Sequence, residues 1–442
     1  MVYVSFLACC NPLVTRKICM VNSNLLNTNV FCKFFKPLIE VFHTCRHKRD
    51  CPELPDLKWL QLGISRVLLD AKSGRGFLQQ YSPFFKLDLC LQTFFASLRS
   101  KRRLSLATEA NDKLARKVAD QIEDPLAQYD ELRKFHIYAG DGHWHGASPH
   151  EARKDGKKWS AGHFYLLNLR SHALTHMKSA DQVDRKHEHD MRALKRAGWK
   201  ELRKHAHART GEKVLIAWDS ACTDFAFWAE CKQQGGVYFL TRIKENASYE
   251  INDDLPIDRK DSLNRGVTSD QRIIFDNKDV LRKIECIDPE SGDPYTFITN
   301  EMTLSAGILV QIYRMRWDIE KVFDQIKNAL LEQKAWAKSM NAKSIQAQMI
   351  CMAHNLSLLM ENTLEQDHGV VNEAEEKRRE DRLKKMKKKA KTAGRQWSNV
   401  YDRVRRFTKR SLKFFRTLRA YFFLDCETWQ MAARLRQLYA EL

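Results

Sequence analysis

The stretch KVLIAWDSACTDFAFWAECKQQGGVYFLTR, Lys213 to Arg242, decides the architecture. KVLIAWD and GVYFLTR are short runs of β-branched and aromatic residues, and between them Cys222 to Gln234 carries a helical pattern. Two further strand-like runs lie upstream, FHIYAGDG (135–142) and HFYLLNLRSHALTHM (163–177), followed by a helical pattern at Asp181 to Gly198. Two early strands, then helix, strand, helix and strand, predict an α/β domain: a mixed sheet with helices on both faces. Residues 245–300 then read as strands only, in ASYEIN, QRIIFD, VLRKIECID and YTFIT. They predict a β-rich insertion within that domain. A long helical region is expected from about Thr303 to Glu365.

Outward from this centre, the chain divides into four parts. Residues 1–54 form an N-terminal appendage of unknown role, whose first acid is Glu40 and whose start lacks the basic region of a signal peptide. Residues 55–130 are helical and carry the basic cluster SLRSKRR, Ser97 to Arg103, which suits contact with DNA or a solvated face. Residues 131–365 form the α/β domain, with its insertion at about 245–300. Residues 366–442 form a basic helical tail; positions 377–419 hold 19 Lys/Arg and 3 Asp/Glu, and Val400, Val404, Phe407, Phe414 and Leu418 recur there at helical spacing.

Composition bounds the function. With 442 residues, 43% hydrophobic and 10% aromatic, the chain has ample core, and 17 Gly and 10 Pro exclude a collagen-like or linker-rich polymer. A net charge of +20, from 75 Lys+Arg against 55 Asp+Glu, favours polyanionic partners, nucleic acid before membrane. No apolar run reaches the roughly 18–20 residues that span a bilayer. The 12 cysteines contain no CxxC and read as free thiols of a reducing compartment.

The chemistry centres on YRMRWDIEKVFDQIK, Tyr313 to Lys327. On one helix, Tyr313, Arg316, Glu320 and Lys327 share a narrow wedge beside an apolar stripe of Met315, Ile319, Val322, Phe323, Ile326 and Leu330. Such a strip can be a set of structural ion pairs. It also suits a site where a carboxylate holds a divalent ion while cations contact phosphate. That chemistry needs further carboxylates, and Asp141 and Asp219 stand where strands end. Each has a plain alternative, as a turn residue or a helix cap. KHEHD, Lys186 to Asp190, places its two His two residues apart, pointing away from each other on a helix; His143, His145 and His150 follow Asp141 in a polar loop.

The spacing Y-x2-R-x3-E-x6-K, met by Tyr313, Arg316, Glu320 and Lys327, resembles the signature of DDE transposases in the insertion-sequence-four group. FITNEMTLSAGILVQIYRMRW is similar to the entry to that family's third acidic motif. AWDSACTDFAFW with YFLTRIKEN resembles its second, and IYAGDGHWHG its first. The resemblance, over about residues 130–360, implies a ribonuclease H-like sheet interrupted by the β-rich insertion. It implies Asp141, Asp219 and Glu320 as catalytic residues and ligands of two Mg²⁺ or Mn²⁺ ions. Tyr313, Arg316, Lys327, Arg242 and Lys244 are then contacts to DNA phosphate. The implied activity is cleavage at element ends and strand transfer into target DNA. Implied partners are double-stranded DNA, as terminal inverted repeats and target, and a second copy in a synaptic homodimer. No membrane is involved, and the place of action is the bacterial cytoplasm, at the nucleoid. The alternative is a decayed or domesticated copy that keeps only DNA binding. Two departures stand out. Ser220 and Ala221 follow Asp219 where the family often has Arg-Gly, which leaves Asp224 as a rival, and the insertion has no Trp between Gly236 and Arg316 to stack a flipped base.

Overall fold

Period-two alternation of apolar residues organises the centre of the molecule, because a strand buried on both faces must feed two separate cores. The computed structural model describes residues 29–69, 73–153, 156, 158, 160–180, 190–222, 224–243, 247–275, 280–288, 292–395 and 412–440. Within them lie strands β1 (Phe135–His145), β2 (Ala161–Asn168), β3 (Leu174–Ser179), β4 (Lys213–Ala217) and β5 (Val237–Arg242). Then come β6 (Glu250–Asp254), β7 (Val267–Ile274), β8 (Val280–Ile287) and β9 (Pro294–Thr299). All belong to one mixed sheet of order β3-β2-β1-β4-β5-β9-β8-β7-β6. β1 runs antiparallel to β2 and parallel to β4, and β4 runs parallel to β5.

On one face Tyr138, Phe164, Leu166, Val214, Ile216, Trp218 and Phe239 share a buried cluster with Trp228 and Leu202. On the other, Ile137, Ala139, Tyr165, Leu167, Leu215, Ala217 and Leu240 join a larger core. Residues adjacent in sequence therefore point to opposite cores.

The strand-only block does not stand apart from this sheet. β9 returns to pair antiparallel with β5, Thr241 opposite Ile298 and Arg242 opposite Phe297, so β6 to β9 extend the same surface. Asn300 pins the join: its Oδ1 accepts the Phe239 N–H at 3.0 Å and its Nδ2 donates to the Trp228 carbonyl at 3.0 Å.

The helices are α1 (Val30–His43), α2 (Asp56–Leu68), α3 (Gly74–Tyr81), α4 (Leu91–Ser97), α5 (Lys101–Gln121), α6 (Asp190–Ala206, kinked at Gly198) and α7 (Phe225–Gly235). After the sheet follow α8 (Ala306–Met315), α9 (Trp317–Asp324), α10 (Met340–His368) and α11 (Glu373–Thr392), then helices Leu412–Tyr421 and Thr428–Ala440. α6 and α7 cover the first face of the sheet, and α5, α9 and α10 belong to the second. Asn355 of α10 ties three elements together by bonding both backbone groups of Leu174 (2.9 and 3.0 Å) and Asn111 of α5 (3.1 Å).

The helical region expected over 303–365 is interrupted. A π turn at Gln325–Ala329 and Leu331, at φ 57°, lead into a short extended stretch that hydrogen-bonds Gly146 on both sides, through Gln333 and Ala335. Residues 29–54, within the stretch read as an appendage, contain α1, capped by Asn29 on the Cys32 N–H at 2.9 Å. Its Phe34 and Phe35 are buried against Phe422. Of the tail's apolar positions, Phe414 and Leu418 are buried, while Val400, Val404 and Phe407 lie outside the described residues. The described cysteines are free thiols. Among the described residues no helix is long and apolar enough to cross a membrane.

Candidate active site

The sheet register brings the first two acids together. The β1–β4 pairing runs to Ala139 opposite Ala217, and Asp141 and Asp219 each lie two residues further along. Neighbouring strands are about 4.8 Å apart, and a step of two keeps a side chain on the same face. Both acids thus stand side by side, just beyond the β1–β4 pairing. Trp218, between the strand and Asp219, buries its indole under Gly140. A Cβ at Gly140 would sit 2.3 Å from the Trp218 ring. Gly140→Ala should therefore cost about 1–3 kcal/mol through overpacking. Denaturant unfolding checks this, and an unchanged midpoint would mean the ring has room to move.

Asp219 is held by a turn: its Oδ1 accepts the Ala221 N–H at 3.0 Å, and its carbonyl accepts the Thr241 hydroxyl at 2.6 Å. Asp224 does different work. It caps α7, accepting the Phe227 N–H at 3.0 Å, and pairs with Lys195. Burial alone would raise its carboxyl, but Lys195 and that N–H hold it below the usual range.

α9 lays the third acid across the strand ends. Arg316, buried at the α8–α9 junction, places Nη2 2.7 Å from Glu320 Oε1 and Nη1 4.0 Å from Asp141 Oδ2. Two carboxylates thus converge on one positive charge. Burial, with Asp190 and Asp219 close by, pushes the Asp141 carboxyl up to about 7, against the pull of the Gly142 N–H and Arg316.

The sequence marked Asp190 only as the last residue of KHEHD and Cys222 only as the start of a helical pattern. One ligand atom from each of Asp190, Asp219 and Cys222 lies within 4.8 Å of the others. Asp190 starts α6 on the far face, at the end of KHEHD. Its approach to Gly142, whose Cβ would meet Asp190 Oδ1 at 2.9 Å, depends on Gly142 having no side chain. His187 and His189 lie outside the described residues.

The remaining candidates form a rim. Tyr313 is buried beside Phe297, with ring centroids 4.6 Å apart; burial raises its phenol, partly opposed by Arg316 and Arg242. Arg242 is exposed and lies over the Tyr295 ring at 4.8 Å. Lys327 is exposed on the π turn, near enough to His143 to help burial push that imidazole down to about 4. The π turn shifts Lys327 from the position an unbroken helix would give it. Lys244 lies outside the described residues. His143 stacks on Phe323 at 4.8 Å, His145 is buried deeper, and His150 stays at the surface.

A family model described as Transposase DDE domain matches residues 141–356, a span that begins at Asp141 and ends within α10. No curated protein matches the chain.

Proposed function

We propose that the protein is a DNA transposase whose ribonuclease H-like core carries out metal-dependent cleavage and strand transfer. The observation that carries this reading is the placing of Asp141 and Asp219 two residues beyond the last paired positions of two adjacent parallel strands, with Arg316 lying 4.0 Å from Asp141 and 2.7 Å from Glu320. The β3-β2-β1-β4-β5 order, antiparallel on one side of β1 and parallel on the other, supports the fold reading. Similarity to transposase DDE domains supports the activity, and the signature spacing supports the insertion-sequence-four group.

The donor set fits a divalent ion. Arg316 already supplies one cation between Asp141 and Glu320, and Asp190 and Asp219 crowd negative charge that needs compensation. Two Mg²⁺ or Mn²⁺ ions on these carboxylates would activate the attacking oxygen and stabilise the leaving 3′-oxygen. The chain's own residues do the positioning. Arg316 and Tyr313 present a guanidinium and a phenol to phosphate, and Lys327 and Arg242 extend the positive charge; Lys244, two residues past Arg242 in sequence, is the fifth phosphate contact of this reading. Cleavage and strand transfer share the site because both are in-line displacements at phosphorus. The working form is a synaptic homodimer on double-stranded element ends, acting at the bacterial nucleoid.

Cleavage of a duplex carrying the DNA that flanks the coding region, with Mg²⁺ and without, is the direct test. Binding without cleavage in Mg²⁺ or Mn²⁺ would leave a decayed or domesticated DNA-binding protein instead. Asp219→Asn should abolish nicking in Mn²⁺, whereas Asp224→Asn should retain it, since Asn caps a helix about as well as Asp. The reverse pattern would transfer the role to Asp224.

The tail supplies sequence-independent affinity in this reading. On α11, Lys387, Lys388 and Lys389 are exposed, and the following helix is anchored by the buried Phe414 and Phe415. Charge reversal at the three lysines is therefore a cleaner test than truncation. Every phosphate that the variant no longer neutralises should flatten the salt slope of log K by about 0.9 on B-DNA, equally for cognate and random duplexes. A folded variant with an unchanged slope would show that this part of α11 does not touch DNA.

A further inference from the structure

A second polar cluster lies deeper in the same face, beyond the carboxylates. His143 and His145 on β1, His163 on β2 and His176 on β3 follow one another at ring-centroid separations of 5.0, 5.5 and 5.2 Å. The register explains the grouping: His143 pairs with His163, and Tyr165 pairs with His176. His145, His163 and His176 are 1, 2 and 6% exposed. Four imidazoles in an apolar core are costly unless each nitrogen finds a partner.

The partners are incomplete. Both ring nitrogens of His145 are buried without a hydrogen bond, as is the hydroxyl of Tyr165, whose ring is 5.5 Å from that of His176. In contrast, His163 Nδ1, His176 Nε2 and Ser179 Oγ form a triangle with edges of 3.3, 3.2 and 3.4 Å. Imidazole nitrogens about 2.0–2.1 Å from a tetrahedral zinc ion stand about 3.3 Å from one another. The triangle therefore has the dimensions of one face of such a site.

The geometry points to a buried transition-metal site of the zinc class, with His163 and His176 as its fixed ligands and His145 turning its ring in as the third. Ser179, whose hydroxyl is 2.7 Å from that of Ser344, marks the side of an oxygen ligand, its own hydroxyl or a water. Metal-binding imidazoles are usually oriented through their other nitrogen. Here the backbone of Lys178 makes a hydrogen bond with the His176 ring. The nearby buried cation, Lys343, is paired with Glu151 at 3.2 Å. This site would be structural, fastening β1, β2 and β3 beneath α10. It is separate from the oxygen-rich carboxylate set, because Mg²⁺ prefers oxygen while zinc-class ions take imidazole.

The test uses the full chain, dialysed against Zn²⁺ or Co²⁺ with excess Mg²⁺ to saturate the carboxylates. One equivalent of Zn²⁺ should be retained by the wild type and by Asp219→Asn, and lost in His163→Gln. Co²⁺ should give the intense visible bands of a tetrahedral nitrogen site. Zn²⁺, but not Mg²⁺, should raise the wild-type thermal midpoint, a measurement that needs no variant to fold. Equal zinc content in wild type and folded His163→Gln would overturn the proposal. So would a pale octahedral cobalt spectrum, a thiolate-to-cobalt charge-transfer band that places the ion at a cysteine, or a midpoint that Zn²⁺ leaves unmoved.

Discussion

Glu320→Gln is expected to lower the proposed Mg²⁺-dependent DNA cleavage by at least about a thousandfold, on the order of 4 kcal/mol of transition-state stabilisation, with DNA affinity staying within a few-fold. The carboxylate is half-exposed on α9 and bonded to Arg316 at 2.7 Å, so its loss removes a proposed metal ligand without opening the core. Losing a negative charge does not weaken attraction to phosphate. Arg316, freed from one partner, remains beside Asp141 at 4.0 Å. Affinity is measured by gel shift in Ca²⁺ and cleavage in Mg²⁺. Near-normal cleavage would remove the helix from the catalytic machinery and leave Arg316–Glu320 as a structural ion pair.

The largest stability effect is expected far from that site. Arg282 on β8 is buried and grips Asp270 on β7 with two bonds of 2.8 and 2.7 Å. Its remaining Nη1 donates to the Leu304 carbonyl at 2.6 Å and lies 4.0 Å from Glu301, which is also buried. One guanidinium thus compensates two buried carboxylates and holds the extended half of the sheet against the start of α8. Arg282→Met should destabilise the protein by about 3–5 kcal/mol, because the orphaned charges cannot reach water. The double variant Arg282→Met with Asp270→Leu should recover much of that loss, since burying an ion pair costs nearly as much as the pair returns. Denaturant unfolding of both variants checks it; a single-variant loss below about 1 kcal/mol would show that Asp270 and Glu301 are relieved in some other way.

The mixed sheet was legible because strands such as KVLIAWD and GVYFLTR are dense in β-branched and aromatic residues and are bounded by turn residues. The adjacency of Asp141 and Asp219 was legible only as a likeness of position, each at a strand end. Their shared edge depends on the β1–β4 register, which no local pattern encodes. Helical periodicity placed Arg316 and Glu320 on one wedge, but it carried Lys327 along with them because nothing in the spacing announces a π turn. Asp190 was hidden for another reason. Its approach comes from the opposite face of the sheet and through the missing side chain of Gly142. The histidine cluster was hidden likewise, since its members lie on three strands and meet only through cross-strand pairing. The joining of β9 to β5 followed the same rule: strand content is local, pairing is not.

The aromatic packing between α1 and the C-terminal region sets a timetable for biosynthesis. Phe31, Phe34 and Phe35 are made well before the ring they surround, Phe422. Roughly 390 residues separate the partners, which at about 5–20 residues per second is an interval of about 20–80 seconds. The β1 to β5 unit can pair during that interval, since its strands are close in sequence, but three phenylalanines stay without their final neighbour until Phe422 has been made. The nascent chain must shelter them, either by transient burial against α5 and α10 as these emerge or by a chaperone, so a stop shortly before codon 422 would release a chain with Asp141, Asp219 and Glu320 made and an aromatic surface uncovered.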